Sequence, residues 1–208
     1  MLDHKQITDD LRGLFRGRLH FDRLTRGLYS TDASPFQIEP QLVAVPEDAE
    51  SVASLVRYCH EHAVSVTARG AGTGLSGESL NSGVALDLSV HFRKVLAVGA
   101  DTVTVQAGAV LHQLNAELAK VGRRFAPDPA SAAACTLGGM IATNASGGNA
   151  AHHHAGAFHG RARLEAADVR EFGRQLIGLA AAEAAHIADF KREYRQRTEP
   201  GHHKQADP

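Results

Sequence analysis

Apolar positions along the chain switch between two periods. Ile7, Leu11, Leu14 and Phe15 recur at helical spacing and predict a polar helical arm over 1–30. Pro40 then opens an apolar run, Leu42-Val43-Ala44-Val45, which Pro46 stops, and which reads as a strand. Glu47, Asp48 and Glu50 suit the positive N-terminal end of a helix. Val52, Leu55, Val56 and Cys59 share one face of that helix. A short strand over 64–68 comes next, then a glycine-dense break, then another strand over 84–88 in which Asp87 reads as a strand-end or turn residue. Two further strands are predicted at 94–98 and 102–107, with Asp101 in the turn between them. In the second, Val103 and Val105 alternate with Thr102, Thr104 and Gln106, so one face is apolar. Val110, Leu111, Leu114 and Leu118 mark the buried side of a second helix, and Gly122 fits its stop. Late in the chain, Val169, Phe172, Leu176, Leu179, Ile187, Phe190 and Tyr194 keep a 3–4 spacing that weakens at Glu183. They predict one long helix over 164–197. Its apolar face requires a partner, for which docking on the preceding domain ranks ahead of self-association.

The break between the strands is Arg69-Gly70-Ala71-Gly72-Thr73-Gly74-Leu75-Ser76-Gly77. Glycine loses the most backbone entropy on folding and buries no side chain. What it offers is positive φ and the close approach of bare amides, which can turn inward as a nest for an anion. Thr73 and Ser76 add hydroxyls and Arg69 a fixed charge. We read phosphate binding here ahead of a tight structural turn. Gly72, Gly74 and Gly77 also spell G-x-G-x-x-G, but a nicotinamide fingerprint opens a helix and needs an acidic residue about 20 positions on. Here 78–83 is too short and too rich in breakers, and a strand follows at once. No Lys-Ser/Thr pair follows the glycines, so a Walker loop is excluded as well.

A second stretch carries similar signals. Pro127 and Pro129 flank Asp128 and hold the backbone extended. Thr136 can cap a short helix whose first turn contains Gly138 and Gly139. Each glycine there costs roughly 1 kcal/mol of helix stability relative to Ala. Two explanations stand: a helix N-terminus with unpaired amides facing an anion, or close backbone contact with a neighbouring element.

Composition bounds the rest. The chain has 208 residues, 43% hydrophobic, with a formal net charge of -1, which gives no footprint for nucleic acid. Arg12, Arg16, Arg18, Arg23 and Arg26 put a basic face on the N-terminal arm; we read it as solvated, ahead of peripheral contact with acidic lipid or a partner. Two cysteines, Cys59 and Cys135, form no disulfide framework and read as small core residues. No apolar run approaches the roughly 20 residues that span a bilayer, and the N-terminus carries no secretory pattern. The expectation is a reduced, cytoplasmic protein. Histidines recur at 152, 153, 154, 159, 186, 202 and 203, but His152 to His154 are consecutive with no carboxylate or cysteine at ligand spacing nearby, so adventitious surface binding is read ahead of a structural metal site. Residues 200–208 read as a polar, disordered end.

Taken together, Arg-Gly-x-Gly-Thr-x-Leu-x-Gly at 69–77 and Pro-Asp-Pro with Thr-Leu-Gly-Gly-x-Ile-Ala-x-Asn-Ala-x-Gly at 127–147 resemble the FAD-binding domain of the vanillyl-alcohol-oxidase and p-cresol-methylhydroxylase type. The leader at Tyr29-Ser30-Thr31-Asp32 resembles the branch of FAD-linked 2-hydroxyacid dehydrogenases that includes D-lactate dehydrogenases and glycolate oxidase subunits. The resemblance covers about residues 25–150. It implies an α+β fold of two small subdomains with FAD between them. By motif position, Arg69, Gly70, Gly72, Thr73, Gly74, Leu75 and Ser76 would hold the pyrophosphate. Pro127, Asp128, Thr136, Gly138, Gly139, Ala142, Asn144 and Gly147 would line the second wall. A flavin in such enzymes accepts a hydride from a D-2-hydroxy acid, while the protein places and tunes it. The family continues with Arg-Tyr-Gly-x-Thr and a strand ending in Asp-Gly; this chain has Gly148-Asn149-Ala150-Ala151-His152 instead. We therefore expect a helical arm at 1–30, a partial FAD-binding domain at 31–150 with an incomplete second subdomain, and a tail at 151–208. No cap, and so no catalytic acid, base or substrate ligand, is assignable. A non-catalytic module that keeps the fold and works through association is the alternative.

Overall fold

The computed structural model describes residues 3–100, 102–145 and 147–148. The predicted helix over 164–197, the histidine tract and the polar end lie outside the described residues. Every described residue belongs to one compact unit.

Two small sheets organise the described residues. The first has four strands in the order β1-β2-β4-β3: β1 (Gly17–His20), β2 (Leu42–Pro46), β3 (Val66–Arg69) and β4 (Val84–Asp87). β1 runs antiparallel to β2, and β4 lies parallel to both β2 and β3. Every residue of β2 and β4 is buried. Central parallel strands covered on both faces call for continuous apolar runs, which is why LVAVP and VALD lack alternation. Preceding β2 are α1 (His4–Asp10) and α2 (Arg23–Leu28). Between β2 and β3 comes α3 (Ala49–Glu61), where Asp48 caps the first turn by accepting from Ser51 N at 2.8 Å and Ser51 Oγ at 2.7 Å. Val52, Leu55, Val56 and Cys59 form its buried face, as the spacing predicts.

The second sheet pairs β5 (Val95–Val98) antiparallel with β6 (Val103–Val105). It is followed by α4 (Leu111–Ala119) and the six-residue α5 (Leu137–Ala142). Leu111, Leu114, Leu118, Cys135, Leu137 and Met140 make one core, against which Val95, Val103 and Val105 pack. Each fully buried leucine contributes roughly 1.5–3 kcal/mol relative to an exposed one. Gly122 closes the α4 segment at φ +69, donating to Ala119 O, while Arg123 N reaches back to Leu118 O.

The expected helical arm is corrected. Residues 4–10 and 23–28 are helical, but Gly17–His20 is an edge strand of the first sheet. Ile7 and Leu11 are buried, whereas Leu14 is 59% exposed. Gly17 sits at φ +136, and a Cβ there would overlap the Val45 carbonyl oxygen, so the β1–β2 pairing requires a residue without Cβ. The basic face is largely paired on the surface: Arg12 with Asp9, Arg16 with Glu47 and Asp48, Arg26 with Glu39.

Candidate cofactor site

β3 delivers Arg69 to the end of the sheet, and the chain then runs through the glycine loop directly to β4, with no helix between. The N–H groups of Ala71 through Leu75 donate to no acceptor among the described residues, and the Thr73 and Ser76 hydroxyls are equally without a protein partner. Gly72 adopts φ +64 and Gly77 φ +77, the left-handed region that turns successive amides to one side.

The leader 29–36 holds this loop in place. Ala33 N donates to Gly72 O at 3.0 Å. Ser79 Oγ donates to Asp32 Oδ2 at 2.8 Å, while Asp32 Oδ1 accepts from Ser34 N. Burial alone would raise the Asp32 carboxyl, but hydrogen bonds from Ser34 and Ser79 and the Arg69 charge outweigh it and hold it below the ordinary carboxylate range. Phe36 packs under Gly77. Arg69, expected to face the pyrophosphate, turns its guanidinium to this leader. It donates to Thr31 O at 2.8 Å and Tyr29 O at 3.4 Å, and lies 5.4 Å from the Tyr29 ring centroid. A Cβ at Gly72 would lie 2.5 Å from Arg69 Nη2, so the arginine forms the floor beneath the loop. Tyr29 in turn donates to Oδ2 of the buried Asp87 at 2.5 Å, and Asp87 Oδ1 caps the strand end by accepting from Ser89 N. Burial, then the Asp87 hydrogen bond, push the Tyr29 phenol well above its usual range.

The second motif meets the first at Gly70. A Cβ there would lie 3.2 Å from Cβ and Cγ2 of Thr136 and would overlap its hydroxyl. Thr136 is buried and caps α5, accepting from Gly139 N at 3.4 Å. Two distant glycine-rich stretches thus share one contact. The expectation of unpaired amides at the start of α5 is corrected: Leu137 N donates to Ala109 O at 2.9 Å and Gly138 N to Ala107 O at 2.8 Å. Gly138 is explained by that approach, since a Cβ would meet Ala107 Cβ at 2.9 Å. Further along, Asn144 (φ 50) ends α5 and Gly147 (φ 85) forms a parallel bridge to Asp128. Gly148 N donates to Asp128 O, and the Asp128 carboxylate pairs with Arg124 at 2.9 Å. Pro127 is buried, whereas Ala142 and Asn144 are exposed. Among the described residues, no three His, Cys, Asp or Glu side chains converge to hold a metal ion, and no helix is long and apolar enough to cross a membrane.

Sequence reasoning left unassigned the supports of this loop, namely Asp32 with Ser79, Tyr29 with Asp87, and Phe36. The leader motif at 29–34 was the one signal pointing to them. A strand–loop–strand turn thus presents amides and hydroxyls with no acceptor or donor among the described residues, and a second glycine-rich segment packs against its start. A family model described as FAD binding domain matches residues 40–159, and the chain belongs to that family.

Among curated proteins, the chain is 42% identical over 138 residues to D-2-hydroxyglutarate dehydrogenase of Pseudomonas putida, covering 64% of this chain and 14% of that protein. It is 36% identical over 118 residues to glycolate oxidase subunit GlcD of Escherichia coli K12, covering 55% and 23%. Among solved structures, an alkyldihydroxyacetonephosphate synthase is similar with TM-score 0.63 at 26% identity, covering 72% of this chain and 32% of the other. Chitooligosaccharide oxidase shares the fold at TM-score 0.53 and 21% identity. The chain spans less than a third of the length of each of these proteins. The fold is therefore the α+β FAD-binding type that the motifs indicated, represented in part.

Proposed function

We propose that this chain binds FAD and forms the cofactor-holding part of a flavin-linked 2-hydroxyacid dehydrogenase. The observation that carries the reading is the run of unpartnered amides at 71–75 beside the Gly70–Thr136 contact. The residues fit the group: loop amides with the hydroxyls of Thr73 and Ser76 suit a diphosphate, and the segments at 127–128 and 144–147, which flank Thr136 in sequence, would take the rest of the nucleotide. Bound FAD would supply a two-electron acceptor for the carbinol carbon of a small 2-hydroxy acid. The protein's own part is to hold the diphosphate through the loop and to fix that loop by Arg69, Asp32 and Tyr29. None of the described residues is assigned as acid, base or substrate ligand.

FAD titration followed by flavin fluorescence tests this. Saturable binding is expected. Replacing Gly72 by Val, where φ is +64 and Arg69 closes the space, should abolish it. Binding unchanged in Gly72→Val would overturn the cradle. A second reading is a domain that retains the fold and acts by association through the apolar face expected over 164–197. Light scattering on the chain and on a version ending at 150 tests it, since equal monomer masses would remove the idea.

A further inference from the structure

The loop built for an anion faces one of its own. Glu78 folds back so that its Oε2 accepts from Ser76 N at 3.1 Å. A Cβ at Gly74 would overlap Oε1 and lie 2.9 Å from Oε2, so the carboxylate fills the space in front of that glycine. Glu78 is exposed and makes no ion pair among the described residues. A solvated carboxylate gains little by leaving water unless a donor awaits it, and the donor here is the Ser76 amide of the loop proposed above to hold the diphosphate. A phosphate seated in the loop would compete with this carboxylate for the Ser76 N–H and repel it.

We propose that Glu78 is an internal competitor for the diphosphate subsite, holding the Ser76 amide and the space in front of Gly74 until the nucleotide binds and then swinging outward. This rests on the FAD reading above. The apparent affinity of a site falls in proportion to the fraction of molecules in which it is open. A solvent-exposed hydrogen bond of ordinary net strength corresponds to roughly three- to tenfold weaker binding.

The test is FAD titration of the full chain and of Glu78→Ala and Glu78→Gln, by flavin fluorescence anisotropy, with ADP displacement as a flavin-free readout. Both variants should bind FAD and ADP about three- to tenfold more tightly than the parent. The gap should narrow as salt is raised, since the carboxylate–phosphate repulsion is screened. Equal affinities would overturn the proposal and leave the FAD reading standing. Weaker binding by the variants would also overturn it, showing that Glu78 clasps the loop in its working shape. If parent and variants alike ignore FAD, the FAD reading falls and this proposal with it.

Discussion

The contact between Gly70 and Thr136 joins the two glycine-rich segments, and Gly70→Ala tests it directly. Gly70 does not adopt a left-handed φ, so alanine carries no backbone penalty there and the cost is contact alone. The new Cβ would lie 3.2 Å from two Thr136 carbons and overlap the hydroxyl. Thr136 is 4% exposed and cannot yield into solvent. Forcing a methyl into such packing costs about 1–3 kcal/mol. Displacing the threonine also weakens the α5 cap, at about 0.5–2 kcal/mol. For a chain of this size each kcal/mol lowers Tm by about 2–4 °C. Thermal unfolding by circular dichroism should therefore show Gly70→Ala melting several degrees below the parent. Thr136→Ala alone should be destabilising, yet Gly70→Ala combined with Thr136→Ala should be more stable than the sum of the single effects predicts. A coupling of about 1–2 kcal/mol is expected for residues in contact. Thr136→Ser keeps the clashing hydroxyl and should give little relief. If the single substitution leaves Tm unchanged, or the two effects simply add, the two segments are not packed as described.

Asp32 holds its carboxyl low, so its contribution to stability is fully present above the unfolded value near 3.8 and is lost as pH falls through the lower folded value. Asp32→Asn should thus be less stable than the parent at neutral pH, and urea midpoints should converge below about pH 4; a constant difference down to pH 2 would refute the linkage. Cys59 is fully buried, and burial pushes its thiol up to about 12. Ellman's reagent at pH 8 should label it only under denaturing conditions, and rapid labelling of Cys59 in the native protein would contradict the α3 packing.

Particular residues show what the chain discloses before its fold is known. The buried face of α3, the apolar face of β6 and the leucines of α4 follow from local period, because burial repeats with the element's own geometry. The strand–loop–strand context of the glycines is legible for the same reason, and it separates this loop from a nicotinamide fingerprint. β1 is not legible: Gly17-Arg18-Leu19-His20 holds one large apolar residue, and it becomes a strand through pairing with β2 some 25 positions away. Likewise the amides of Leu137 and Gly138 look free in sequence and are taken by carbonyls at 109 and 107. Arg69 reads as a phosphate ligand by type, yet its partners are carbonyls at 29 and 31. Local pattern predicts elements; nonlocal pairing decides which polar groups remain for chemistry.

β3 and β4 are parallel neighbours, so the chain must travel back along the sheet before β4 can begin. Residues 70–83 are that return path. Shortening the segment would unthread the central strand, whatever happened to nucleotide recognition. A descendant of this chain that had lost its cofactor would therefore keep the length of the segment, and Gly70 with it, for reasons of folding alone.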